Sequence, residues 1–397
     1  MRKLTLIAAA GLLSMPVASE AKTLNELLVE KGVISAEEAA STGSSRVSYK
    51  NGTRLEFPEQ GFDIKMNLEV KTRYSYLDYD KSGGTNREDA SSFNTTLARV
   101  TFDGNVLNKQ FSYRVQNDFA ADSGGNSMRD VWLQWNLDDA AKLRMGQFKV
   151  PFGRQELNGD TKIQFIDRTN ASDFFTYGRN RGAMFHGGFG DAGMYAAGIF
   201  NGVSTGEGIN APGVDNNMMG AAAVSYNFGD FGSREEEGDM RKDGDLAGTI
   251  GAAVAFGQGS TSLTSGNTTV ADDFDDVRVD VDAGLRVAGF STQAEFIYAN
   301  IDYDSLGSDS GEDFYGGYVQ AGYMFVPEEM ELAARFGMID PDGGLIDEQY
   351  EYAIVYNYFL NGHALKIQTG VAWEVTNYGD DEDITDARYQ VQLVGMM

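Results

Sequence analysis

The sequence predicts an all-β protein, a transmembrane antiparallel β-barrel of about 16 strands, and three observations carry that prediction. From Phe62 onward apolar and polar residues alternate with period two, the pattern of strands with one apolar face. Long and short connections then follow one another in turn, as they do in barrels closed by tight turns at one end. Past the N-terminus no run of about 18 apolar residues occurs, which excludes a polytopic helical membrane protein.

Composition narrows the chemistry. The 397 residues include no cysteine, so disulfides, thiol catalysis and thiolate metal sites are excluded. A net charge of −27 excludes nucleic acid as a partner, because that affinity rests on basic side chains displacing counterions. With 42% hydrophobic residues the chain is not disordered, and its mean hydropathy is still negative at −0.33. A barrel holding water explains both, since apolar residues are needed only at every second position. A β-sandwich is the competing class, and it seldom needs so many strands.

The elements run in order from a leader. Met1, Arg2 and Lys3 precede an apolar or small run from Leu4 to Leu13, and Ser19-Glu20-Ala21 forms a small-x-small cleavage site. Residues 1–21 therefore read as a signal peptide, and export of a barrel leads to the bacterial outer membrane. Residues 22–61 read as a short periplasmic helical segment and linker. Leu24, Leu27 and Leu28 share one helical face, Gly32 ends the run, and Ser35 to Glu38 has capping-box spacing. An interaction handle and a packed plug both fit this segment.

The barrel itself spans 62–397. In its first strand Phe62, Ile64, Met66, Leu68 and Val70 alternate with Asp63, Lys65, Asn67, Glu69 and Lys71. Fifteen more strands are expected at 92–105, 111–121, 128–138, 141–150, 181–189, 193–201, 218–228, 245–257, 275–288, 290–303, 313–326, 329–339, 349–360, 364–377 and 386–397. The clearest are Val277, Val279, Val281, Ala283, Leu285 and Val287, and Leu365, Ile367, Thr369, Val371, Trp373 and Val375. Tyr74, Tyr76 and Tyr79, like Tyr352, Tyr356 and Tyr358, lie near strand ends where interfacial girdles form. Short connections such as Asp139-Ala140, Gly289 and Pro327-Glu328 are assigned to the periplasmic side, and long ones to the outside. Connection 229–244 departs from this pattern, being long and charged on the short side.

Connection 151–180, the third on the outer side, is the most charged candidate for a pore constriction. It carries Arg154, Lys162, Arg168 and Arg179, with Arg181 just beyond, against Glu156, Asp160, Asp167 and Asp173. Such a mixture forms a charged eyelet, or pairs internally to hold the loop in shape.

A family resemblance accompanies these residues. The runs Gly146-Gln147-Phe148-Lys149-Val150-Pro151-Phe152-Gly153, Ala98-Arg99-Val100-Thr101-Phe102-Asp103-Gly104 and Leu27-Leu28-Val29-Glu30-Lys31-Gly32-Val33-Ile34 resemble the phosphate-selective porin O and P family. The resemblance implies a sixteen-stranded barrel, a homotrimer, a third extracellular loop folded inward, and a basic path selecting phosphate or other anions. By position it marks Lys162, Arg168, Arg99 and Arg114 for such a path.

Strand parity supplies a lumen set of its own. With Met66, Val100, Val115 and Leu143 facing lipid, the basic lumen residues are Lys65, Lys71, Arg73, Arg99, Arg114 and Arg144. Asp63, Glu69, Asp103, Asp118 and Asp130 face the same way, and later strands add Arg278, Arg286 and Lys366 beside Asp280, Asp282, Glu295 and Glu374. The lumen is thus mixed, without the basic excess of a phosphate ladder. Charge is also divided along the chain: residues 62–185 hold 17 basic and 16 acidic side chains, whereas 186–397 hold 8 and 36.

These observations imply passive diffusion of small hydrophilic solutes and ions, with a possible preference for anions or phosphate. Outer-membrane lipid and lipopolysaccharide are the expected surroundings. The alternative is a non-conducting surface barrel for adhesion or extracellular cation binding, using Asp272, Asp273, Asp275 and Asp276, or Asp380, Asp381, Glu382 and Asp383, as hard oxygen ligands. No enzyme, cofactor or metal site is expected. The two histidines, His186 and His363, lack a nucleophile context, and no phosphate-cradling glycine loop precedes a helix.

Overall fold

The computed structural model describes residues 24–41, 46–49, 52–80, 87–120, 127–203, 217–241, 243–265, 268–303, 312–341, 348–378 and 383–397. The proposed leader, and Asp380 to Glu382 of the second acidic run, lie outside these residues. Helices α1 (Leu24–Glu30) and α2 (Ala36–Ser41) come first. Ser35 caps α2 in the anticipated reciprocal way, with its Oγ accepting from Glu38 N at 3.1 Å and its N donating to Glu38 Oε2 at 2.7 Å.

Two short strands that the alternation did not reveal follow, β1 (Arg46–Ser48) and β2 (Thr53–Phe57). Three and five residues are too few to establish a period. The barrel strands are β3 (Phe62–Asp78), β4 (Ala90–Val106), β5 (Phe111–Asp118), β6 (Ser127–Asn136), β7 (Lys142–Lys149), β8 (Arg179–Phe189), β9 (Gly193–Phe200) and β10 (Met219–Phe228). The second half comprises β11 (Ala247–Ser265), β12 (Thr268–Val287), β13 (Phe290–Tyr303), β14 (Glu312–Val326), β15 (Met330–Pro341), β16 (Glu348–Asn361), β17 (Leu365–Asn377) and β18 (Ile384–Met396). Neighbours pair antiparallel throughout, and β18 pairs with β3, so sixteen strands close the barrel. Closure removes the free edges that would otherwise expose unpaired backbone to lipid. The β18 pairing covers β3 from Glu69 to Asp78; the start of β3, from Phe62 to Met66, is covered by β2 instead.

Alternation sorts the two faces. Val115, Met145, Val279, Val281, Ile354 and Leu393 are exposed outward, while the intervening Asp118, Asp280, Asp282, Gln368 and Gln392 are buried inward. A water-soluble fold would show the reverse. Val281→Arg should therefore cost roughly 2–4 kcal/mol near the bilayer midplane. Urea-titrated folding into lipid vesicles measures this, and an unchanged stability would show that lipid does not cover this face.

Two expectations are corrected here. The expected connection 258–274 is largely strand: the β11–β12 hairpin continues in register to Ser265 and Thr268. Glycine, serine and threonine gave that stretch a loop's composition, while cross-strand pairing extends the ladder. Asp276 in consequence is no loop ligand: it is buried, bonded to Arg278 at 2.6 Å and to the Tyr177 hydroxyl at 2.8 Å.

Candidate functional site: the lumen and its loop

The β7–β8 connection lies inside the barrel because its apolar residues have a prepared seat there. Phe152 and Phe175 pack with Ile297, Ala299 and Ile339, and Phe165 and Ile166 pack with Ala333, Ala353 and Val355. Its two short helices, α3 (Arg154–Leu157) and α4 (Asn170–Phe175), present backbone donors to the wall. Arg154 N and Gln155 N donate to Glu295 at 2.6 and 3.2 Å, and Asn170 N donates to Glu351 at 2.8 Å. Wall cations hold the loop's carbonyls in turn. Lys366 Nζ donates to Ile163 O at 2.7 Å, Lys71 Nζ to Ile166 O at 3.3 Å, and Arg335 Nη1 to Asp167 O at 3.0 Å.

Between this loop and strands β6–β8 lies a cavity of about 520 Å³ lined by Arg129, Arg168, Arg179, Glu156, Asp160 and Asp173. Its carboxylates are shared among several cations. Asp160 meets Arg99 at 2.7 Å and Arg168 at 2.6 Å; Asp130 meets Arg179 at 2.5 Å and Arg114 at 3.7 Å. Arg99 also reaches Asp118 at 3.2 Å. Burial alone would raise the Asp160 carboxyl, but the Arg168 and Arg99 guanidiniums outweigh it and hold it well below the usual carboxylate range. Asp173 behaves oppositely: burial, with Glu156 and Asp167 nearby, pushes it up to about 6 against the pull of Arg168.

The proposed constriction residues have different surroundings. Arg154 is buried against Asp282 at 2.9 Å, away from open space. Lys162 pairs with Glu236 at 2.5 Å. Arg168 also donates to Asn158 O at 2.8 Å, so it both shapes the loop and lines the cavity. Arg179 lines the cavity as well. Arg181 is a correction. It lies on β8, exposed and in step with the outward Phe185 and Phe189, 3.4 Å from Gln147 Oε1. The strand begins at Arg179, two residues earlier than expected, and Arg181 within it shares the lipid-facing parity of Phe185 and Phe189.

Of the parity set, Lys71, Arg73 and Arg99 meet the loop, and Arg73 pairs with Asp167 at 2.7 Å. Arg114 and Arg144 flank the indole of Trp132, at 5.6 and 4.2 Å from its centroid. Arg144 bonds to Gln134 Oε1 at 2.8 Å, and no carboxylate pair to it is present among the described residues. Lys65 stands in register with Asp103 on β4. Arg278 and Arg286 donate to carbonyls of Phe175 and Phe231.

Sequence reasoning missed Arg129. Val115 pairs with Val131 and Asn117 with Met128, so three steps on β6 oppose two on β5. This bulge takes Arg129 out of simple alternation and brings it within 3.9 Å of Asp118. A one-residue register change has no signal in period-two counting.

The comparisons with known proteins agree with this architecture. The family model described as phosphate-selective porin O and P matches residues 64–397. An Aquifex aeolicus (strain VF5) protein is 24% identical over 429 residues, covering 96% of this chain and 97% of its own. Among solved structures, the outer membrane channel DcaP of Acinetobacter baumannii superposes with a TM-score of 0.62 at 15% identity, covering 85% of this chain and 98% of that one. The anion-selective porin from Comamonas acidovorans gives 0.56 at 12%, covering 84% and 99%. The trimer form of OmpT from Vibrio cholerae gives 0.58 at 13%, also covering 84% and 99%.

Proposed function

The chain belongs to the phosphate-selective porin O and P family, and we propose that this outer-membrane channel prefers small anions in the lumen between loop 151–178 and strands β3–β8. The observation that carries the preference is the pairing of its cations. The loop carboxylates Glu156, Asp160 and Asp167 are met by guanidiniums, whereas Arg144, beside Arg114, is held by an amide and an indole. A cation without a bonded carboxylate attracts mobile counter-ions. The near balance of charge on residues 62–185 makes the preference weak, and phosphate is one candidate among several small anions. Orientation with the short turns in the periplasm, and assembly as a trimer like the OmpT form, belong to the same proposal.

The preference should depend on pH. With Asp173 raised to about 6, the group is charged at pH 7.5 and neutral at pH 5, so acidification removes a negative charge from the cavity. The anion-to-cation permeability ratio of the reconstituted channel should rise between those values, and Asp173→Asn should flatten the rise. A ratio falling with acid would contradict the assignment.

A further inference from the structure

Segment 229–244 connects β10 to β11 at the end where β12–β13, β14–β15 and β16–β17 make tight turns, yet it is long and charged. Three of its side chains, Phe231, Glu237 and Asp239, are nevertheless buried. Gly229, Gly232 and Gly238 take positive φ of 64°, 73° and 82°, which lets the backbone reverse direction within the segment. Phe231 is buried under the Arg286 guanidinium, 4.3 Å from its ring centroid. Asp239 accepts from Gly289 N at 3.3 Å, and His363 Nε2 lies 3.1 Å from Glu237 O, so the segment lies against two of those turns.

The side chain of Glu237 identifies its destination. It is buried, and five donors surround it. Gln164 N, Gln155 Nε2 and Asn158 Nδ2 approach from the loop at 2.8, 3.1 and 2.9 Å; Gln293 Nε2 and Gln320 Nε2 approach from the wall at 3.0 and 2.9 Å. Burial alone would raise this carboxyl, and the donors outweigh that and keep it below its ordinary value. A buried carboxylate without such partners would be strongly destabilising. Alongside it, Glu237 N donates to Lys162 O at 3.0 Å, and Glu236 pairs with Lys162.

We infer that residues 229–241 form a second constriction element, which enters the barrel from the short-turn end and docks on loop 151–178 through Glu237. The two elements pack against β12–β17 and leave the open cavity beside β6–β8. The inference rests on the channel reading, and deepens it by naming a determinant of pore size outside the third loop.

Two experiments test it. Replacing 232–240 by a short glycine-serine linker should raise single-channel conductance roughly two-fold, as a wider water-filled cross-section requires. A wild-type conductance from that variant overturns the inference. The double variant Lys162→Cys with Glu236→Cys uses a chain that has no other cysteine. The adjacent backbones at these positions favour a disulfide in the folded, membrane-inserted protein, read as a shift in gel mobility reversed by reductant. Failure to crosslink would show that the segment does not dock on the loop, and overturns the inference even where the linker variant does not insert. Because crosslinking needs no current, a silent wild-type channel would sink the channel reading, whereas a missing crosslink in a conducting channel sinks this inference alone.

Discussion

Arg99→Leu should release the constriction loop from the barrel wall and give a channel that conducts more, with more current noise. Arg99 is buried on β4 and meets Asp160 of the loop at 2.7 Å and Asp118 of the wall at 3.2 Å. Removing one partner of a buried ion pair costs about 3–5 kcal/mol, because the remaining charge is left uncompensated. Asp160 retains Arg168, but Asp118 keeps Arg129 at 3.9 Å as its cation, beside the backbone donors Ala98 N and Ala120 N. Leucine also fills less of the space. The loop's opposite side stays seated on Phe152 and Phe175, so the barrel should still insert. Single-channel recording together with thermal loss of the folded band on a gel tests both parts, and an unchanged conductance with unchanged thermal stability would contradict the anchoring role.

The paired substitution Arg114→Ala with Arg144→Ala should lower the anion preference more than any change within the loop. Both guanidiniums border Trp132 on the lumen face of β5–β7. Arg144 has Gln134 as its partner, and the carboxylates nearest Arg114 stand 3.8 and 3.7 Å away. Removing them leaves Asp103 and Asp130 less neutralised, so the reversal potential in a salt gradient should move toward cation selectivity. Lys162→Ala removes a cation already paired with Glu236 and should move it less. Equal shifts from the two would return the filter to the loop.

Sixteen strands were legible because the period-two signal is local: each strand's own residues declare its two faces. The upper part of the β11–β12 hairpin was not legible because its glycine, serine and threonine carry no period-two apolar pattern, whereas the backbone pairs from Gly257 with Asp276 to Ser265 with Thr268. Loop charges were legible as a set but not in their roles. Whether Arg154 lines water or Asp282 depends on a strand 128 residues away, and sequence spacing carries no record of that distance. Arg129 shows the limit of parity, since a single bulge changes the face. The anomaly at 229–244 was visible as an over-long, charged turn. Its meaning was not, because Glu237 finds its partners at positions 155 to 320.

The central claim, a channel whose weak anion preference arises from cations on β3–β8, is tested most directly by the zero-current potential of the purified wild-type protein across a planar bilayer in a potassium chloride gradient. The account predicts stepwise conductance and a potential whose sign marks chloride as the more permeant ion. A strongly cation-selective potential would contradict the anion path while retaining the channel, and no conductance steps at all would contradict both.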